Sequence, residues 1–221
     1  MRYVGRGAGV SNILKPKRGG IMIGAVILAA GMSQRMGRQK LFLPFKRHTI
    51  IEEVIDHIKA SKVDCILLIY GNQDDRWEKI AIEKEIACKR NSEYQKGQST
   101  SVKKGIEMMP DGMDGIMFIL GDQPLIDSKV INKIIDTFYE RKASIVVPLY
   151  KGVRGNPVLF HAKWRETLFN VKGDKGARDI ILQNKDEVSY IRFNDSMYNI
   201  DVDTKEDYQN ILMAVSKTCK S

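Results

Sequence analysis

The sequence predicts an α/β fold of three layers: a mostly parallel sheet with helices on both faces, and a small C-terminal β elaboration. Three observations carry this prediction. Short apolar runs recur along the chain, continuous rather than alternating, as in strands buried on both faces. Each is followed by apolar residues at helical spacing, so strands and helices alternate. The first run ends in a basic, glycine-containing loop, at the strand end where open α/β sheets bind ligands.

Residues 23–30 read as the first strand. Residues 50–60 form a helix, because Ile51, Val54, Ile55 and Ile58 fall on one face. Residues 65–70 are a strand closed by Gly71 and Asn72. A helix over 75–84 and a short strand over 86–88 follow. Residues 99–108 are a helix with Gln98 or Ser99 near its N-cap. The apolar run 116–120 is a strand bounded by Asp114-Gly115 and Gly121-Asp122. A long amphipathic helix spans 127–140, and the next strand, 143–147, is stopped by Pro148. The texture then changes. A strand over 153–160 is entered through Arg154-Gly155-Asn156-Pro157, and short helices cover 164–169 and 177–183. Residues 188–193 and 197–202 pair as a hairpin around Asn194-Asp195. A final helix over 204–214 has Thr204 as its N-cap. No repeat or linker divides residues 22–221, which read as one domain.

Composition narrows the function. The chain of 221 residues carries a net charge of +9. Arg2, Arg6, Lys15, Lys17 and Arg18, with no acid among them, supply five of those nine charges. Residues 1–21 therefore read as a disordered basic extension, and the body is only mildly basic. No nucleic-acid-binding motif follows it. No apolar run approaches the ~20 residues of a membrane-spanning helix, and the start lacks the apolar core of a secretory signal. Cys65, Cys88 and Cys219 show no C-x-x-C spacing, which suits a reducing cytoplasm. His48, His57 and His161 are scattered and receive no catalytic role.

The chemistry concentrates after the first strand, in Leu28-Ala29-Ala30-Gly31-Met32-Ser33-Gln34-Arg35-Met36-Gly37-Arg38-Gln39-Lys40. Small residues let backbone N–H groups approach phosphate oxygens, and Arg35, Arg38 and Lys40 can neutralise their charge. The spacing is neither that of a Walker loop nor that of a dinucleotide fingerprint. Two carboxylate sites follow. Asp122 stands at the end of the 116–120 strand, either as a Mg²⁺ ligand or as an acid closing a turn. Asp201 and Asp203, two apart at a strand end, point to one side and repel unless a cation or hydrogen-bond donors lie between them, which reads as a metal site or, for Asp203, as part of the following helix cap.

The loop resembles the Leu-Ala-Ala-Gly-x-Ser-x-Arg-Met-Gly-x-x-Lys signature of MobA-like nucleotidyltransferases, the family of molybdenum cofactor cytidylyltransferase. Gly121-Asp122-Gln123-Pro124 and Asp201-x-Asp203-Thr204-x-Glu206-Asp207-Tyr208 are similar to further elements of that family, in the same order. The resemblance implies a Rossmann-like nucleotidyltransferase fold over about residues 23–215. It maps the two Mg²⁺ ligands onto Asp122 and Asp203, with Asp201 as a neighbouring possibility. It implies catalytic roles for Arg35, Lys40 and Asp122. It also implies a nucleotide site formed by Leu28, Ala29, Ala30, Gly31, Ser33, Arg35 and Lys40, closed around the base by Gly97, Gln98 and Ser99, with Asn91 nearby. Arg154, Gly155, Asn156 and Pro157, with Gly173, Lys175, Gly176 and Arg178, resemble the acceptor side. The implied reaction moves CMP from CTP onto the phosphate of a molybdopterin-type cofactor, with Mg²⁺, releasing pyrophosphate. Ala29, where related guanylyltransferases tend to carry proline, favours CTP over GTP. GTP use is the alternative within this class. Outside it, the chain would be a cofactor carrier or insertion chaperone for a molybdenum hydroxylase.

Overall fold

The computed structural model describes residues 22–31, 39–173 and 177–218. The predicted extension 1–21 and the site residues Ser33, Arg35, Lys175 and Gly176 lie outside the described residues.

The strands are β1 (Ile23–Ala29), β4 (Cys65–Tyr70), β5 (Ala87–Arg90), β6 (Gly115–Leu120), β7 (Ile145–Tyr150), β8 (Val153–Arg154), β9 (Val158–His161) and β10 (Val188–Phe193). β2 (Pro44–Phe45) and β3 (His48–Thr49) form a separate small hairpin. The main sheet runs β10-β7-β9-β6-β1-β4-β5, with β8 paired to β7. β1 is parallel to both β4 and β6, and β9 is antiparallel to both neighbours. The chain moves outward from β1 through β4 to β5, then returns to the other side of β1 as β6. The crevice between the carboxyl ends of β1 and β6 is thus a topological switch point, where such sheets bind ligands.

The helices are α1 (Ile50–Lys59), α2 (Arg76–Glu83), α3 (Gln98–Met108), α4 (Ser128–Glu140), α5 (Arg165–Phe169), α6 (Arg178–Gln183) and α7 (Lys205–Thr218). Strand residues alternate between two cores. Ile23, Ala25, Ile27 and Ala29 of β1 join Ile66, Leu68 and Tyr70 of β4 against α1, α2, α4 and Ile211 of α7. Val26, Cys65, Leu67 and Ile69 face α3, α5 and α6 instead. α3 sits close on β1 because both surfaces carry glycine: a Cβ on Gly105 would stand 2.6 Å from Val26, and one on Gly24 would overlap Met109. That close approach sets the start of α3 beside the end of β1.

Three expectations need correction. Pro148 does not stop its strand. It lies within β7, between the residues that pair with β9 and those that pair with β8, where a missing N–H is tolerated. Residues 153–160 are two strands: β8 folds back on β7, and β9 crosses to fill the gap between β7 and β6. Residues 197–202 form no hairpin with β10. Met197–Asn199 is a 3-10 turn, and β10 joins the main sheet parallel to β7, so the C-terminal β elaboration is one added edge strand.

The starts of α1 and α4 follow the capping chemistry of their sequences. Thr49 and Glu52 form a reciprocal capping box at α1, and Asp127 accepts the Val130 N–H at α4. The β2–β3 hairpin is pinned to α1 by Glu53, which accepts from Lys46 Nζ and lies 3.1 Å from His57 Nε2. Burial alone would raise the Glu53 carboxyl, but His57 and Lys46 outweigh it and hold it at about 2 against an ordinary 4.5. A depressed acid stabilises the fold fully above its ordinary pKa and loses that contribution as pH falls through the folded value. Glu53→Gln should therefore cost roughly 3 kcal/mol at pH 7, and the cost should shrink as pH falls below 4.5. Chemical denaturation at pH 7 and at about pH 3 checks this; an equal penalty at both would refute it.

Candidate active site

The turn after β1 is built to bury a lysine. Lys40–Phe42 is one turn of 3-10 helix. Leu41 and Leu43 are buried in the core, Leu43 accepts the N–H of Ile50, and Phe42 packs on Trp77 with ring centroids 4.5 Å apart. With its neighbours anchored, the Lys40 side chain (8 % exposed) places Nζ 2.6 Å from Asp122 Oδ2 and 2.7 Å from Asp203 Oδ1.

Asp122 arrives on the turn after β6. Gly121 gives its N–H to Leu28 O at 3.0 Å, and a Cβ there would stand 3.2 Å from Ile51 and 3.3 Å from Ala29. Glycine thus lets the turn lie against the end of β1. Asp203 arrives from the segment before α7. Val202 is fully buried and donates its N–H to Asp122 O at 3.0 Å. Asp207 accepts the N–H groups of Asp203 and Thr204, while Thr204 Oγ1 accepts the N–H of Asp207, the capping arrangement expected of Thr204.

Burial alone would lower the Lys40 ammonium, but Asp122 and Asp203 outweigh it and raise it above the usual 10.5. Lys40 is therefore a fixed cation. Asp201 accepts from Gln123 Nε2 at 2.7 Å. Its carboxyl is pushed up to about 6, first by burial, then by the charge of Asp122, with Asp203 adding to it. Two carboxylate oxygens thus converge on one cation, Lys40 Nζ. Mg²⁺ takes one or two carboxylates together with substrate phosphates and water, so the donor chemistry of Asp122 and Asp203 fits a divalent ion. Among the described residues no group of three or more His, Cys, Asp or Glu could hold a metal, so the remaining ligands would come from substrate and water.

A cleft of about 280 Å³ opens at this point. Leu28, Ala29, Ala30 and Gly31 line it with Lys40 and Asp122, and Gly97, Gln98 and Ser101 line it from the start of α3. Gly97 caps that helix with φ +108°, a conformation that favours glycine, and no side chain caps it. A helix N-terminus favours anions. A second cavity of about 790 Å³ shares Leu28, Gln98 and Leu120 with the first, and Arg154, Gly155, Asn156 and Arg178 line it. Among the described residues, Leu28, Ala29, Ala30, Gly31, Lys40, Gly97 and Gln98 of the predicted nucleotide group and Arg154, Gly155, Asn156 and Arg178 of the predicted acceptor group border adjoining spaces.

Residues 25–188 match the MobA-like NTP transferase domain. The chain belongs to the MobA-like NTP transferase family. It is a nucleotidyltransferase. Over 200 residues it is 29% identical to the purine catabolism protein PucB of Bacillus subtilis, covering 86% of this chain and 96% of that one. Over 186 residues it is 25% identical to the molybdenum cofactor cytidylyltransferase of Escherichia coli, covering 84% and 93%. The crystal structure of Rv0371c from Mycobacterium tuberculosis superposes with a TM-score of 0.75 at 25% identity, covering 88% of this chain and 99% of that one.

In this MobA-like transferase several of the expected residues are also held by contacts within the chain. Asn91 is buried and saturated: its Nδ2 donates to Thr100 and Ser101, and its Oδ1 accepts from Glu93 N–H. It ties the start of α3 to the end of β5 and has no amide left to read a base. Ser99 is buried and gives its N–H to Gly173 O, so Gly173 braces α3. The Asn156 carbonyl accepts from Tyr150 Oη at 2.6 Å, and the Asn156–Pro157 peptide is cis. Tyr94 and Gln95 line the cleft without having been singled out for it. Ser101 of the polar 97–101 segment lines it too, three residues after Gln98 and on the same helix face.

Proposed function

We propose that the chain catalyses Mg²⁺-dependent transfer of CMP from CTP to the phosphate of a molybdopterin-type cofactor, releasing pyrophosphate. The observation that carries this reading is the meeting of Lys40, Asp122 and Asp203 at the mouth of the cleft. The triphosphate lies along the loop from Gly31 to Lys40, with Arg35 on the β and γ phosphates and Lys40 at the α-phosphate. Gly97 and Gln98 border the nucleoside, and Arg154 and Arg178 face the acceptor. A phosphate oxygen of the acceptor attacks the α-phosphorus, the bond from that phosphorus to the β-bridging oxygen breaks, and pyrophosphate leaves. A phosphate monoester is largely a dianion near neutral pH, its second pKa being about 6, so no general base is required. Asp122 and Asp203 would hold Mg²⁺, which supplies charge neutralisation between the two anionic substrates. What the chain contributes is position and fixed charge.

The choice of CTP draws support from Ala29 and from the similarity to a cytidylyltransferase. We place the reaction in the cytoplasm, upstream of a molybdenum hydroxylase that receives the product. Pyrophosphate release with molybdopterin-type cofactor and Mg²⁺, compared across CTP, GTP, ATP and UTP, tests the proposal. Release with CTP alone is the expected result. A preference for GTP would move the base and keep the chemistry. No release from folded protein that still binds the cofactor would leave the carrier reading.

A further inference from the structure

Gln123 follows Asp122 in the turn after β6 and is only 2 % exposed. Its Nε2 donates to Asp201 Oδ1 at 2.7 Å, across 78 residues of sequence. Its Oε1 is buried and has no hydrogen-bond partner among the described residues. A buried carbonyl without a donor is destabilising, and an apolar side chain of the same length would avoid the cost. Some other gain must hold an amide here, and the geometry identifies it. Residues 201–203 belong to no helix or strand. They are joined to the Asp122 turn by the Val202 N–H on Asp122 O and by the Gln123 amide on Asp201.

We infer that Gln123 is a positioning residue for nucleotidyl transfer: its amide latches the 201–203 segment so that Asp203, and not Asp201, meets Asp122 at the cation. The inference rests on the reading of that site proposed above. The chemistry of the donor fits. A lysine or arginine here would compete with Lys40 and with a metal for the carboxylates. A neutral amide engages Asp201 and adds no charge.

The test uses the full chain and two variants of similar size. Gln123→Met removes the donor and the orphaned carbonyl together; Gln123→Glu turns the donor into a carboxylate facing Asp201. Thermal unfolding, hydrogen exchange at the Val202 N–H, Mn²⁺ binding followed by electron paramagnetic resonance, and steady-state kinetics are measured beside Asp203→Asn. Gln123→Met should melt no lower than the parent. Val202 exchange should quicken, and Mn²⁺ affinity and kcat should each fall about tenfold with the KM for CTP little changed. Gln123→Glu should lose more. Parent-like Val202 exchange and Mn²⁺ affinity in Gln123→Met would overturn the inference while leaving the site reading intact, provided Asp203→Asn still abolishes both Mn²⁺ binding and turnover. If Asp203→Asn itself binds Mn²⁺ and turns over normally, the site reading has failed and the inference falls with it.

Discussion

Replacing Asp122 with asparagine should abolish pyrophosphate release and leave the fold in place. The substitution keeps the shape of the side chain and removes one negative charge. The fold survives because the contacts that join the turn to the 201–203 segment do not use the Asp122 carboxylate: the Asp122 carbonyl still accepts the Val202 N–H and the Gln123 amide still engages Asp201. Lys40 keeps its contact with Asp203. Turnover does not survive, because an amide is a poor ligand for a divalent cation and can no longer share the cation with Asp203. Losing preorganised charge at a phosphoryl-transfer site costs about 10³-fold or more. A second, independent signal should accompany the loss. The Asp201 carboxyl sits at about 6 through burial and then the charge of Asp122, so it should move down in Asp122→Asn, as a carboxyl titration by NMR would report. A variant that keeps near-parent Mg²⁺-dependent turnover would exclude Asp122 as a metal ligand.

What the sequence reveals of this fold stops where tertiary pairing begins. The apolar runs at 23–30, 65–70 and 116–120 mark strands buried on both faces, and helical spacing marks α1 and α4. Which face each strand residue takes is not visible, because both faces of β1 are apolar. Gly155-Asn156-Pro157, read with Arg154 as the entry to one strand, instead separates β8 from β9. Only the vacancy between β7 and β6 explains the crossing. Residues 197–202 alternate like a strand, but Val202 spends its N–H on Asp122 and Tyr198 packs against the core, so no N–H ladder to β10 forms.

The candidate site divides in the same way. Lys40, Asp122 and Asp203 were legible because charged residues sit where the strand pattern ends. For Asn91, sequence cannot distinguish an amide free to meet a ligand from one already held by Thr100, Ser101 and Glu93. Gln123 was legible only as part of Gly121-Asp122-Gln123-Pro124; its role depends on Asp201, which folding brings beside it.

Lys40→Met should show how the carboxylates behave without their internal cation. In the parent, Lys40 Nζ occupies the point on which Asp122 and Asp203 converge, with Asp201 close enough to feel both charges. Methionine keeps most of the side-chain length and its packing, so the change is chiefly electrostatic. Asp122 and Asp203 then face each other without a counter-charge, with the Asp201 charge nearby, and the metal-free variant should lose roughly 1–3 kcal/mol of stability. That is less than for a fully buried pair, because the Asp203 side chain is 45% exposed. Mg²⁺ or Mn²⁺ should restore the loss, and should raise the melting temperature of the variant more than that of the parent, because no ammonium competes for the same oxygens. Turnover should nevertheless fall about 10²- to 10³-fold, since the restored ion cannot also neutralise charge developing at the α-phosphate. Tighter metal binding joined to slower chemistry separates the two jobs of this point in the fold. A variant with parent turnover would show that the lysine only holds the carboxylates apart. A variant with weakened metal binding would show that it positions them.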